Sequence, residues 1–280
     1  MPFLTAPPTA LDYFTSLVQD DDHFPLLEAA ASLAQDEYPD LDIQQVLGDV
    51  DQLQARLRRR ISADAPQLQR LRALAQFFYR DMGFGGNVND YHDPDNSYLN
   101  VVLRTRRGIP VSLAVLWLEL AQGLGLNVCG VGFPGNFMVK ASLAQGQVVI
   151  DPFTGQSLSR EELLERLEPF QRAQGLTGEN EIPLGLYLQP CPPRDIVARM
   201  LRNLKEIHRT AEDWPRLLAV QERLVRLLPD AHEELRDRGL VLAELGQLNR
   251  AADDLGSYLV KEPTATDHTA IRARWLELMG

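Results

Sequence analysis

Ser112 stands at the front of the most apolar stretch of the chain, directly behind Arg107-Gly108-Ile109-Pro110. A hydroxyl in the first turn of a buried helix is a place where a nucleophile could be held. A serine, however, stays protonated at neutral pH and needs an adjacent general base. The chain has five histidines to offer. His92 lies in the segment before that helix, where it either folds toward Ser112 or, more plainly, serves the turn beside Asp93-Pro94. His208 falls on the inner face of a helical repeat, which suits a partly buried, hydrogen-bonded ring. His23, His232 and His268 share no ligand spacing, nor do Cys129 and Cys191, so no metal site and no cofactor are expected.

A second polar group, Asp93, Asn96 and Ser97, abuts the same helix. With His92 it is read in two ways: as an Asx-type turn, or as a loop that contacts a ligand. The glycine cluster Gly83-Phe84-Gly85-Gly86 is not a phosphate cradle. It follows a helical pattern instead of a strand and carries no Lys-Ser/Thr pair behind it.

These residues need elements to position them. Apolar spacing at Phe24, Leu27, Ala30, Ala31 and Ala34, and again at Leu68, Leu71, Leu74, Ala75 and Phe78, predicts helices in the first 80 residues. Pro110 in front and Gly123 and Gly125 behind bound a helix from Val111, apolar almost all round and therefore central. Val128 to Phe133, Phe137 to Ala141 and Val148 to Ile150 read as short strands of an antiparallel sheet against it. Ser159 with Glu162 has the spacing of a capping box and opens a further helix. Pro183 to Pro193 reads as a linker.

Beyond it, Leu201, Leu204, Leu217, Leu224 and Pro229 recur 34 positions later as Leu235, Arg238, Ala251, Tyr258 and Pro263. That period implies tetratricopeptide helix pairs, with Gly239, Leu242, Ala251 and Pro263 as the better-formed unit. Such pairs need about three repeats to stand alone, so these two and the final helix from Ala270 are expected to lean on the N-terminal part. The expected division is 1–182, a linker at 183–194, and helical repeats at 195–280.

Composition narrows the functional classes. With 39 acidic against 28 basic residues the formal charge is −11, which opposes attraction to nucleic acid or an anionic membrane. The basic runs Arg56 to Arg60 and Arg104 to Arg107 lack interleaved aromatics and read as solvated or ion-paired faces. No run of about 18 apolar residues exists, and the start lacks the basic flank and apolar core of a secretory signal. A cytoplasmic location follows as the expectation, with both cysteines reduced and structural.

Several motifs in order then carry a resemblance. Ala34-Gln35-Asp36-Glu37-Tyr38-Pro39, Asn89 to Asn100, Arg107-Gly108-Ile109-Pro110-Val111-Ser112-Leu113, Gly132-Phe133-Pro134-Gly135-Asn136-Phe137 and Ile150-Asp151-Pro152-Phe153, with the repeats behind them, resemble the bacterial SirB-type family. The resemblance covers nearly the whole chain. It implies an α+β fold: a helix-rich, transglutaminase-like (papain-like) domain with a small antiparallel sheet, followed by a tetratricopeptide-type extension.

In transglutaminases and their papain-like relatives a cysteine near the start of a buried helix attacks an amide, a histidine takes its proton, and an aspartate orients the histidine. By resemblance Ser112, Asn136 and Asp151 occupy those catalytic positions, and only the aspartate is the expected residue. The Asn136 amide has no basic nitrogen, and loss of general-base help alone costs roughly 10²–10⁴ in rate. The degenerate triad is therefore expected to be inactive. Asn136 donating to Asp151 and accepting from Ser112 would keep the old geometry without its chemistry. Each residue also has a plain structural use: Ser112 in the first helical turn, Asn136 in the turn after Gly135, Asp151 in the turn before Pro152. The leading expectation is a noncatalytic interaction or regulatory protein with a protein or peptide partner. The alternative is a serine-dependent amidase, peptidase or acyltransferase with an unrecognised base. A third reading makes the N-terminal domain a platform for the repeats.

Overall fold

The computed structural model describes residues 8–176, 178 and 182–280. The opening MPFLTAP, part of the stretch read above for a missing secretory signal, lies outside the described residues. Helix α1 (Ala10–Leu17) opens on a Thr9–Asp12 capping box and is followed by α2 (Leu26–Ser32), α3 (Ile43–Arg58) and α4 (Gln67–Ala75). A π-helical turn, Gln76–Asp81, continues α4. The parallel pair β1 (Gly85–Gly86) and β2 (Arg107–Gly108) flanks α5 (Leu99–Thr105) in sequence. Next come α6 (Pro110–Gly123), β3 (Asn127–Val131), β4 (Met138–Leu143), β5 (Gly146–Ile150) and β6 (Ser157–Leu158). Helices α7 (Arg160–Ala173), α8 (Leu184–Tyr187), α9 (Pro193–Thr210), α10 (Trp214–Leu227), α11 (His232–Glu244), α12 (Leu248–Lys261) and α13 (His268–Met279) complete the chain.

The chain forms two compact units that interleave along the sequence, whereas the expected boundaries at 182 and 195 are consecutive. One unit consists of Pro25–Ala34 and Asp40–Met200. Its centre is α6, whose Leu113, Ala114, Trp117 and Ala121 are fully buried, as an all-round apolar helix requires. The sheet runs β3-β4-β5-β6, antiparallel throughout, and α6 packs on β3 and β4. Val131, Phe133, Met138 and Val149 of the sheet region close a core with Leu163 and Leu167 of α7. The capping box at Ser159 and Glu162 forms as its spacing predicts.

In the run Arg56 to Arg60, expected to be solvated or ion-paired, Arg60 pairs with Asp81 and Arg58 Nε donates to the Gly123 carbonyl at 3.0 Å; outside the run, Arg70 Nη1 donates to the Leu124 carbonyl at 2.9 Å. Arg58 and Arg70 thus satisfy carbonyls that the C-terminus of α6 leaves unpaired, where a cation also meets the negative end of the helix dipole. The proline-rich stretch expected as a linker is docked instead. Leu184 is buried, Tyr187 and Leu188 pack on the sheet core, and the Cys191 N–H donates to the Gly130 carbonyl at 2.8 Å. Pro193 begins α9, where its missing N–H costs no helical bond.

The other unit joins the chain up to Phe24 and Gln35–Pro39 to Leu201–Gly280. It holds α9 from Leu201 on and α10 to α13, in which α11 packs on α10 and on α12, and α13 packs on α12. Gly239 explains the small position of the repeat, because a Cβ there would lie 2.8 Å from Leu255. These helices do not stand alone. Helix α1 buries Phe14 completely against the Arg223 guanidinium, 4.9 Å above its ring, on α10. Arg223 Nε and Nη2 grip Asp36 at 2.6 and 2.8 Å, and Arg216 grips Glu37 at 2.5 and 2.8 Å. The Asp36-Glu37 motif therefore ties this short segment to the first repeat.

Candidate functional site

Pro110 starts α6 and leaves Ser112 in its first turn, fully buried. The Ile109 N–H donates to Ser112 Oγ at 3.1 Å. The hydroxyl itself has one proton to give, and the shortest contact is the Asn96 carbonyl at 2.6 Å, against 3.1 Å for the Ile109 carbonyl. Gly108 is required at this point. A Cβ there would lie 2.7 Å from Ser112 Oγ.

Asn96 is the hub of the preceding loop and is nearly fully buried. Its Nδ2 donates to the carbonyls of Asp90 at 2.6 Å and Tyr91 at 3.3 Å, while its Oδ1 accepts from Asn87 Nδ2 at 3.0 Å. Asp93 Oδ1 accepts from the Asp95 N–H at 2.9 Å, the Asx-type use of that residue. Ser97 is fully buried, and its hydroxyl has no partner among the described residues. Of the four residues read as a ligand-contacting loop, His92 is the exposed one, with its ring 5.3 Å from that of Tyr91. Asn96 and Ser97 face inward.

Asn136 sits half-buried in the turn after Gly135, whose φ of +71° lies in the left-handed region, and its N–H donates to the Phe133 carbonyl at 3.0 Å. Asp151 is buried. Its Oδ1 accepts from the Phe153 N–H at 2.9 Å and its Oδ2 from Arg166 Nη1 at 3.1 Å. The expected relay from Ser112 through Asn136 to Asp151 is not formed among the described residues. The serine is bonded to the backbone of the Asn96 loop and the aspartate to Arg166, so the Asn136 amide bonds to neither.

Arg166 and Tyr79 were not anticipated as neighbours of the aspartate. Arg166 lies on a helix face that reads as solvated, so no local pattern marks it. Tyr79 belongs to the π-helical turn, a distortion that often accompanies functional sites. Gly155, at φ +75°, packs on its ring, and the buried hydroxyl has no partner among the described residues. Burial, with the Asp151 carboxylate adding to it, holds that phenol protonated well above its ordinary range. It cannot serve as a base.

Burial also acts on the two cysteines. Burial pushes the Cys191 thiol up to about 11 and raises that of Cys129, the reverse of a reactive thiolate. No group of three or more His, Cys, Asp and Glu placed to hold a metal ion occurs among the described residues.

Residues 44–202 match the transglutaminase-like superfamily and residues 204–275 match the tetratricopeptide repeat. Among curated proteins, a UPF0162 protein of Xylella fastidiosa is 37% identical over 262 residues, covering 92% of each chain. A UPF0162 protein of Haemophilus influenzae is 30% identical, covering 84% of this chain and 86% of the relative. The UPF0162 protein YchA of Escherichia coli is 28% identical, with the same coverage. No solved structure matches. Taken with the motifs around Asn96, Ser112, Asn136 and Asp151, these matches place the chain in the transglutaminase-like superfamily, as a member of the SirB-type UPF0162 family with tetratricopeptide repeats behind its core.

Proposed function

We propose that this protein is a noncatalytic interaction protein, in which the transglutaminase-like unit is a folded support and the repeats carry the binding surface. One observation carries the reading: the Ser112 hydroxyl is fully buried and donates to the Asn96 carbonyl, so it is neither accessible nor paired to a base. Tetratricopeptide repeats in general mediate protein–protein interaction, and repeat surfaces suit extended peptides. We place its regulatory work in the cytosol, where Cys129 and Cys191 stay reduced. No helix among the described residues is long and apolar enough to cross a membrane.

The test has two arms on the full chain. A fluorophosphonate probe is expected to leave Ser112 unlabelled, with Ser112→Ala as the reference. Affinity capture from bacterial cytosol is expected to retain a protein partner, to keep it with Asn136→His, and to lose it when charges on the repeat surface are reversed. Strong labelling that vanishes in Ser112→Ala would restore the serine-dependent amidase or acyltransferase reading.

A further inference from the structure

Helices α9, α10 and α11 leave a cavity of about 420 Å³ between them, inside a single compact unit. That volume falls in the range of pockets that hold ligands. Trp214, Leu217, Leu240 and Val241 supply its apolar wall. The charged groups beside them are already spoken for. Lys205 Nζ donates to Glu234 at 2.7 Å and to Asp237 at 2.6 Å. The Gln221 amide, turned so that both its ends are satisfied, accepts from the same ammonium at 3.0 Å and donates to Glu234 at 3.1 Å. An ammonium has three donors, so Lys205 has none left for a guest. Gln221 and Glu234 are buried at 1% and 2% exposure, which fixes this network before anything binds. At the mouth, Arg209 is held by both oxygens of Glu206 at 2.8 and 2.9 Å.

A guest carboxylate would find Lys205 spent and Arg209 already facing a carboxylate, and would meet Glu206, Asp237 and Glu244. Of these, Glu244 is the loosely held one. Its carboxylate lies 3.8 Å from Arg274, beyond hydrogen-bond distance, and its side chain is 51% exposed. The complementary occupant is therefore uncharged where it meets Trp214 and positive where it meets Glu244.

We propose that this cavity seats one large apolar side chain of a partner peptide, with a neighbouring Lys or Arg paired to Glu244. The proposal rests on the interaction reading above and gives that reading a partner chemistry. An apolar anchor beside an aromatic wall, ringed by polar groups that exclude water, is the arrangement in which few residues dominate binding.

Three dye-labelled, capped synthetic peptides test it by fluorescence anisotropy against the full chain: Gly-Leu-Phe-Lys-Lys-Gly, the same peptide with Glu for both Lys, and the same with Ala for Leu and Phe. The first is expected to bind at least about tenfold more tightly than either of the others, and Trp214→Ala to weaken it by about tenfold. Glu244→Lys, at an exposed position that leaves the core untouched, is expected to weaken the basic peptide alone, by an amount that shrinks with added salt. Equal binding of the acidic peptide, or no effect of Trp214→Ala and Glu244→Lys, overturns the proposal. So does failure of all three to bind, and so does a concentration-dependent dimer abolished by Trp214→Ala, which would assign the cavity to a second copy. If the peptides fail while a cytosolic partner is still captured, the partner chemistry falls and the interaction reading stands; labelling of Ser112 would bring down the latter.

Discussion

Ser112 Oγ lies 2.6 Å from the Asn96 carbonyl oxygen and accepts the Ile109 N–H at 3.1 Å, so one hydroxyl joins the Asn96 loop to the start of α6. The residue that the motif resemblance puts at the attacking position of a transglutaminase is a joint in this structure. Replacing it with alanine strips the Ile109 N–H of this partner and removes one of the two bonds to a buried carbonyl that Ile109 N–H otherwise reaches only at 3.3 Å. Each group keeps one bond, so the loss is that of a net hydrogen bond, about 0.5–1.5 kcal/mol. Ser112→Ala is expected to lower the unfolding free energy by that amount, seen as a lower urea midpoint at unchanged slope by circular dichroism. A midpoint equal to the parent's would refute the structural role.

Restoring a base should not restore chemistry. In Asn136→His the imidazole would stand in the turn after Gly135, while the serine proton remains on the Asn96 carbonyl. Without access and without a hydrogen bond between base and nucleophile, activation fails. The variant is expected to show no fluorophosphonate labelling above that of Ser112→Ala across pH 6 to 9. Labelling that rises with the histidine's deprotonation would show that Ser112 can still reach its old partner.

Arg223 and Asp36 are 187 residues apart and make a two-bond ion pair, with the arginine 1% exposed and the carboxylate side chain 30% exposed. The asymmetry in burial fixes an asymmetry in mutants. Asp36→Ala strands a buried guanidinium, and breaking a buried pair in this way costs about 3–5 kcal/mol. Arg223→Met leaves Asp36 able to reach water and keeps an apolar neighbour over Phe14, so it is expected to cost clearly less. Thermal unfolding of both variants orders them. Equal losses would mean that packing, not the pair, holds α1 and the Asp36-Glu37 segment to α10.

Local pattern revealed the parts of this fold that local forces decide. The all-round apolar α6, the Ser159–Glu162 cap, the strands against α6 and the 34-residue repeat all follow from spacing within one or two turns or from a fixed period. What spacing cannot reveal is the choice of a distant polar partner. Arg166 on Asp151, Asp36 on Arg223 and Arg70 on the end of α6 each depend on which elements the fold brings together. The same reason explains Asn96. Its motif was open to an Asx-type turn or a ligand-contacting loop, and the side chain is spent inward on the carbonyls of Asp90 and Tyr91. The motif resemblance that puts Ser112 and Asn136 at triad positions was legible in the sequence; the hydrogen bonds these residues make were not.

His208 gives the repeat unit a dependence on pH. The ring is 4% exposed, and its Nε2 has no partner among the described residues. Burial lowers its pKa below the ordinary 6.5, and Arg216 lowers it further, while Asp213 and Glu37 act in the opposite sense. Because the unfolded chain then binds the proton more readily than the folded one, stability from this site is complete above about pH 6.5 and is lost as pH falls through that value toward the folded pKa. The neighbouring carboxylates do not confuse this window. Hydrogen bonds from Arg216 hold both Glu37 and Asp213 below their ordinary values, so their own contributions disappear only at more acidic pH. The expected result is a melting temperature that falls between pH 7.5 and 5.5 in the parent and falls less in His208→Leu, whose side chain cannot take up the proton. Identical slopes in the two proteins would assign the acid sensitivity to other groups.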